Sequence, residues 1–399
     1  MKKTYLLFLF QFIVLKMFSQ NINSLYKFDT SINTGIHLDF KNFNTSNYNL
    51  TLKNDFIYIY SISYTEDTLH FLSIDLNTKK ISNILLFHKN ISDIIKTPFI
   101  KFFDIDENYL AIFSSYNNLI VYDRKNNNKI VIDTLYSQCA YDGGKIINNI
   151  LCMYKCYNTH PKECSQSIRL SKINIDNKAI VYDTFLNSES IAFSHFSPSQ
   201  FIDIDNKGNF FYTNSVDPKI IKIGSKEIQF KLLIDSSWHK FNPKILNLYN
   251  TIYSSEYNPK QLIDFLSPYE DSISRIERIS LVNDSTLHLV KIPSNNKIKG
   301  RIRNHDIYKI KDNELQPIFI DYIESNISEN MLISKDNIPL LSSQSKNCIL
   351  KNGYFIRLDP RPTNSKIGLS RKDYNKVIEA SKIENFRYYI DIYKLNPLK

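Results

Sequence analysis

From residue 55 onwards, apolar residues come in short runs separated by polar clusters. Residues 55–62 read DFIYIYSI and 68–76 read TLHFLSIDL, with 109–114, 119–123 and 129–133 in the same style. The runs are rich in Ile, Tyr, Phe and Val and are bounded by Asn, Asp, Ser and Lys. That is the signature of strands joined by turns. A looser unit recurs at 55–87, 100–136, 146–186, 200–234, 276–320 and 330–359. Each unit is an apolar run ending at a polar turn, a second strand, another turn and a further strand. Its length is close to the four-stranded unit of a propeller blade, except for the long interval between the starts at 200 and 276. The pattern predicts an all-β chain, a single β-propeller of six blades. Seven blades result if residues 21–53 and the last strand supply another. Two packed β-domains are the rival architecture.

Two stretches break the strand pattern. Residues 237–269 carry Asn242-Pro243 and Asn258-Pro259, each a cap followed by a first-turn proline. Apolar residues then recur at helical spacing, which predicts a short helical insertion between blades. A capping-box pattern at 370–373 opens a predicted C-terminal helix over 371–383. Residues 386–395 (FRYYIDIYKL) form a final alternating strand. Closing the ring requires a blade shared by both ends of the chain, and residues 36–53 are the expected partner of this last strand.

Residues 201–223 read FIDIDNKGNFFYTNSVDPKIIKI: strand, Asp-x-x-Gly-Asn turn, aromatic strand, polar turn, Ile-x-Lys-Ile strand. This unit resembles the blade core of NHL-like propellers, and the chain resembles exported bacterial six-bladed β-propeller proteins. Residues 103–114 and 331–342 are weaker copies without the glycine. The resemblance implies a fold and not an activity.

At the N-terminus, Lys2 and Lys3 precede an apolar run over 5–15, broken only by Gln11. Residues 1–20 therefore read as a signal peptide, too short to span a bilayer, with cleavage near Gln20. The expected location is outside the inner membrane: periplasm, cell surface or medium. The alternative is a short N-terminal anchor helix. No other segment approaches the length of a membrane span. The formal charge is +10, and loss of Lys2, Lys3 and Lys16 with the leader lowers it to +7. The basic residues are scattered beside Asn at predicted turns, as in Arg124-Lys125-Asn126, and read as solvated loop tips. Nucleic acid is not an expected partner.

With only 8 glycines in the chain, glycine-rich phosphate loops are excluded. Gly143-Gly144 reads as a hairpin turn. Asp203, Asp205 and Gly208 resemble the start of a calcium loop, but Lys207 occupies a ligand position, and a blade turn is the simpler reading. No local catalytic spacing is present, which weighs little against propeller enzymes, whose site residues come from separate blades. Cys139, Cys152, Cys156 and Cys164 are clustered, and in an exported chain they read as disulfides. Cys152 and Cys156 lie on one strand face about 13 Å apart at ~3.3 Å per residue, too far to bridge. Cys156–Cys164 is the preferred pairing and Cys139–Cys152 the second, with zinc and free thiols as alternatives. Cys348 reads as a buried apolar residue. The 8 histidines are dispersed. His195 and His239 stand out, the first for preceding the best-matched blade and the second for adjoining the only Trp.

Trp238, His239, Phe241, Tyr249, Tyr253, Tyr257 and Tyr269 in and around the insertion form a candidate aromatic ligand platform, and His195 is a further candidate ligand-binding residue. Flat apolar rings with a polar handle suit sugar or peptide stacking. The competing reading packs these rings against neighbouring blades. The expected function is a non-catalytic exported propeller that binds a protein, peptide or glycan on its face, with no cofactor and no metal. The alternative is an extracellular glycan hydrolase or lyase with a carboxylate and His site in the axial funnel. A third reading is a structural subunit of a surface assembly.

Overall fold

The computed structural model describes residues 25–37, 48–63, 68–88, 100–114, 119–126, 128–130, 143–156, 167–187, 201–213, 217–232, 238, 274–292, 303–323, 348–362 and 386–397. These form six antiparallel four-stranded sheets, the blades of one six-bladed β-propeller. Blade 1 is β2 (Tyr48–Lys53), β3 (Phe56–Ser63), β4 (Thr68–Asp75) and β5 (Ile81–His88). Blade 2 is β6 (Ile100–Ile105), β7 (Tyr109–Ser114), β8 (Leu119–Asp123) and β9 (Asn128–Ile130). Blade 3 is β10 (Gly143–Ile147), β11 (Ile150–Cys156), β12 (Ser167–Asn174) and β13 (Ile180–Asn187). Blade 4 is β14 (Ile202–Ile204), β15 (Phe210–Tyr212), β16 (Lys219–Ile223) and β17 (Glu227–Lys231). Blade 5 is β18 (Arg275–Asn283), β19 (Thr286–Ile292), β20 (Asn304–Lys311) and β21 (Glu314–Ile323). Blade 6 takes β22 (Cys348–Lys351), β23 (Tyr354–Pro362) and β24 (Phe386–Leu395) from the end of the chain and β1 (Tyr26–His37) from its start. The innermost strands meet around the axis, β2 touching β6 and β22, β6 touching β10, and β18 touching β14 and β22.

Each second strand is buried on both faces, which explains why its sequence is apolar almost without interruption. In β3, Ile57 and Ile59 enter a core shared with Ile356, Leu358, Ile390 and Ile392 of blade 6. Tyr60, one residue on, enters the opposite core with Phe103, Ile105 and Ile112 of blade 2. The same division recurs in β7, where Leu110 and Ile112 face blade 1 while Ala111 and Phe113 face Leu151 and Met153 of blade 3. Six such cores fill the six gaps between blades. Aromatic rings lock some of them: Phe103 of blade 2 stands edge-on to Tyr60 and Phe71 of blade 1, with centroids 5.5 and 5.4 Å apart. Each fully buried side chain of this size contributes about 1.5–3 kcal/mol over its exposed state.

Closure differs from the sequence expectation. The last strand pairs with β1, in a register running from Tyr26 opposite Leu395 to His37 opposite Arg387. Residues 48–53, which fall in the expected 36–53 partner, instead form the innermost strand of blade 1. Since β1 is the fourth strand of blade 6, it builds no seventh blade. The reason lies in its side chains: Phe28 packs on the core between blades 5 and 6, and Ile32 on the core between blades 6 and 1. Thr34 Oγ1 donates to the Tyr388 carbonyl at 2.8 Å, and Ser31 Oγ to Asp391 at 2.8 Å.

Gly143-Gly144 is not a turn. Both residues lie in β10, and the turn follows at Asn148-Asn149, both at positive φ. A Cβ on Gly144 would come 2.6 Å from the Cys152 carbonyl oxygen and 3.0 Å from Phe113 of blade 2, so the bare backbone is what lets β10 fit. With glycine scarce, Asn takes left-handed positions at Asn54, Asn148, Asn149, Asn313 and Asn352. The predicted helix over 371–383 lies outside the described residues, as does the insertion over 237–269 apart from Trp238.

Candidate functional site

The polar side chains of the innermost strands reach forward, each from its own blade to the next. Lys53 at the end of β2 donates to Asp104 of β6 at 3.0 Å and, two blades on, to the Ile146 carbonyl of β10 at 2.8 Å. Asp104 also accepts the Ile146 amide at 2.7 Å. Lys145 of β10 donates to the Ile204 carbonyl of β14 at 3.0 Å and to Asn206 Oδ1 at 2.9 Å. Asp203 of β14 accepts the Leu281 amide of β18 at 2.7 Å and its neighbour Ile204's amide at 2.8 Å. Ser280 of β18 donates to the Leu350 carbonyl of β22. The inner edge of a blade has no strand beyond it, so these side chains satisfy backbone groups that would otherwise be left unpaired.

The girdle joins the blades and leaves charge behind. Lys53 and Lys351 end β2 and β22 beside their turns, and Lys145 is the middle residue of β10. Asp104 is bonded to Lys53 and to an amide, and Asp203 to two amides. Lys145 contacts only uncharged oxygens. Burial, and next the positive charge of Lys351, push the Lys145 ammonium down to about 8, against the opposing pull of Asp203 and Asp104. Lys351 is half-buried. Among the described residues its side chain has no hydrogen bond or ion pair.

At the other end of the inner strands the chemistry is different. Arg303 pairs with both oxygens of Glu277, the longer contact being 2.7 Å. Arg278 Nη1 donates to the buried Cys348 sulfur at 3.3 Å. Cys348 is thus buried as expected, but it has a cation beside it that the sequence did not reveal. Between blades 5 and 6, Tyr26, His288 and His305 form a buried chain of contacts at 2.9 and 3.0 Å. Among the described residues, no group of three or more His, Cys, Asp or Glu is placed to hold a metal ion. Among them, too, no helix is long and apolar enough to cross a membrane.

Of the residues expected to bind ligand, only Trp238 is among the described residues. Trp238 is half-buried against the core between blades 4 and 5, on which Ile228, Ile310 and Leu315 also pack. His195, His239, Tyr249, Tyr253 and Tyr257 lie outside the described residues. Cys152 is a free thiol, so the Cys139–Cys152 pairing is not present. Its side chain points into the core between blades 3 and 4, where a Cβ on Gly208 would meet its sulfur at 3.3 Å, rather than toward the loops of its own blade. Burial pushes this thiol up to about 11. Cys139 and Cys164 lie outside the described residues, and with them the Cys156–Cys164 pairing. The calcium-loop reading gives way to a turn: Asp205 accepts the Lys207 and Asn209 amides at 2.9 and 2.8 Å and the Asn209 side chain at 2.7 Å. Gly208 there sits at φ +78.

Sequence reading missed Lys53, Lys145 and Lys351. Lys53-Asn54 and Lys351-Asn352 look like the loop tip Lys125-Asn126, and the only signal separating them is blade position. Lys125 follows an outer strand and is exposed, whereas Lys53 and Lys351 end inner strands and are half-buried.

No protein-family model matches the chain, and no curated protein does. Solved structures do resemble it in outline. A member of the DUF4221 family from Bacteroides vulgatus is 7% identical, with 93% of this chain and 98% of that chain covered and a TM-score of 0.48. A structural-genomics protein of unknown function from Bacteroides thetaiotaomicron is 7% identical, covering 86% and 68%, with a TM-score of 0.36. The Cps50 (Swd1) β-propeller domain of Myceliophteria thermophila is 9% identical, covering 93% and 100%, with a TM-score of 0.35. These chains are similar to this one at the level of gross architecture, and the fold itself rests on the six sheets.

Proposed function

We propose that the chain is an exported, non-catalytic binding propeller that takes a protein, peptide or glycan ligand on its axial face. One observation carries the reading. Asp104 and Asp203 of the inner strands are engaged in joining blades, and Glu277 of β18 is taken up by Arg303. A hydrolase or lyase at the axis needs a carboxylate free to give and take a proton. Asp104 and Asp203 each hold a backbone amide of a neighbouring strand, a role that keeps them in place. Export is supported by the leader at 1–20, whose removal N-terminal sequencing of the protein recovered from the cell envelope would establish.

The test is a thermal-shift and calorimetric screen of residues 21–399 against oligosaccharides and short peptides, neutral and charged. Binding to the folded state raises the melting temperature by mass action. Saturable binding without turnover supports the reading. Conversion of a bound oligosaccharide to product would overturn it.

A further inference from the structure

We propose that β13, the outermost strand of blade 3, pairs edge to edge with the same strand of a second copy of this chain, making a weak two-fold dimer. This goes beyond the binding reading and does not depend on it. The sheet of blade 3 ends at β13, with β12 on its inner side. An open strand edge offers its backbone groups to another strand. Ile180, Val181 and Phe185 of β13 are 54, 58 and 55% exposed. Among the described residues these are half of the six large apolar side chains that are exposed.

The other outer strands carry features that discourage such pairing. β17 turns Glu227, Gln229 and Lys231 to solvent. β21 contains Pro317, with a register shift beside it. β1 has two register shifts and an exposed Lys27 and Asp29. β5 has a register shift in its middle, and β9 is three residues long. The register shift in β13 lies at its start, and the strand runs regularly from Tyr182 to Asn187.

Charge and sequence point to a second copy as the occupant. β13 has no basic residue, and its one acid is neutralised within its own sheet. Arg169 of β12 donates to the two oxygens of Asp183 at 3.0 and 2.8 Å, and Ser171 donates to it at 2.8 Å. The same guanidinium lies 5.3 Å from the centre of the Phe185 ring. On a chain of formal charge +10, this strip is a neutral place for two like-charged copies to meet. Run against itself about Thr184, the regular part of β13 sets Tyr182 opposite Leu186, Asp183 opposite Phe185 and Thr184 opposite Thr184. Thr–Thr neighbours stabilise paired strands, the Tyr182 ring gains an aliphatic neighbour, and no two acids face each other. A two-fold interface requires this self-complementarity.

The experiment is sedimentation velocity of residues 21–399 over a concentration series. A single strand pair buries less than the roughly 1,200–2,000 Å² of a standard interface, so dimer is expected to appear only above about 10 µM. Phe185→Glu is expected to fold, since the new carboxylate sits beside Arg169 of its own chain. It places an acid opposite the partner's Asp183 and is expected to weaken the dimer about tenfold or more. Ile320→Glu, on the outer strand of blade 5, is expected to change nothing. Hydrogen exchange of the wild type at low and high concentration gives a second reading that needs no variant. The β13 amides are expected to slow as dimer forms, while those of β17 and β21 do not. A folded Phe185→Glu that dimerises as wild type does, or a dimer that leaves β13 exchange unchanged, overturns the inference. So does a wild type that stays monomeric at the highest concentration, which would leave the edge to a strand from another protein.

Discussion

The Tyr26 hydroxyl lies 2.9 Å from Nδ1 of His288, although the two residues are 262 positions apart. This contact ties the strand that closes the propeller to blade 5, and the Nε2 side of His288 meets His305 at 3.0 Å. Burial, then His305 and Arg278, hold the His288 imidazole well below its usual range. The Tyr26 phenol is pushed up by burial and stays a neutral partner.

A pH dependence follows. His288 is neutral when folded, while in the unfolded chain it takes a proton below about pH 6.5. The unfolded state then binds more protons, so its stabilising contribution is full above that pH and falls as the pH drops. The expected slope is up to ~1.4 kcal/mol per pH unit. Urea melts between pH 7.5 and 5 measure it. His288→Gln is expected to flatten the slope, and an unchanged slope would assign the acid sensitivity elsewhere.

Lys145 titrates near neutrality for the opposite kind of group. Its folded-state value of about 8 lies below the ordinary lysine value of 10.5. Protonated in both states below pH 8, it opposes folding there, and that penalty fades as the pH rises from 8 toward 10.5. Competitive acetylation read by mass spectrometry is expected to show a reactivity midpoint near pH 8. Lys351→Met is expected to raise that midpoint, because one source of repulsion is gone.

Closure of the ring depends on a buried ion pair. Arg357 of β23 meets Asp391 of β24 at 2.8 Å with both side chains almost wholly buried. Asp391 also accepts the Ser31 hydroxyl of β1. Asp391→Ala leaves the Arg357 charge uncompensated and is expected to cost about 3–5 kcal/mol. Chemical denaturation provides the number, and a loss under 1 kcal/mol would show that the pair does not hold the closing blade.

Gly144→Ala tests the tight approach of β10. The added Cβ meets a backbone oxygen at 2.6 Å and the Phe113 ring at 3.0 Å. Overpacking of this kind is expected to cost about 1–3 kcal/mol. Gly35→Ala, where nothing lies within 4 Å, tests backbone strain alone at φ +73.

Blade count and the boundaries of blades 2 to 5 were legible because strand periodicity is local: 146–186 as read from sequence is nearly Gly143–Asn187 as folded. The exchange of β1 into blade 6 was not legible, because which strand covers the last one is a matter of tertiary packing. Phe28 and Ile32 look like any other alternating apolar residues until the cores they enter are known. The axial lysines stayed hidden for a related reason. Lys351-Asn352 and Lys125-Asn126 are alike as local sequence, and only the order of strands from the axis outward makes one a functional candidate and the other a loop tip. Arg278 beside Cys348 likewise joins residues 70 positions apart.

The most direct test of the central claim is calorimetric titration of residues 21–399 with neutral and charged oligosaccharides and short peptides, with the bound ligand recovered and analysed afterwards. The account predicts saturable binding of an unchanged ligand. Conversion of a bound oligosaccharide to product would contradict it.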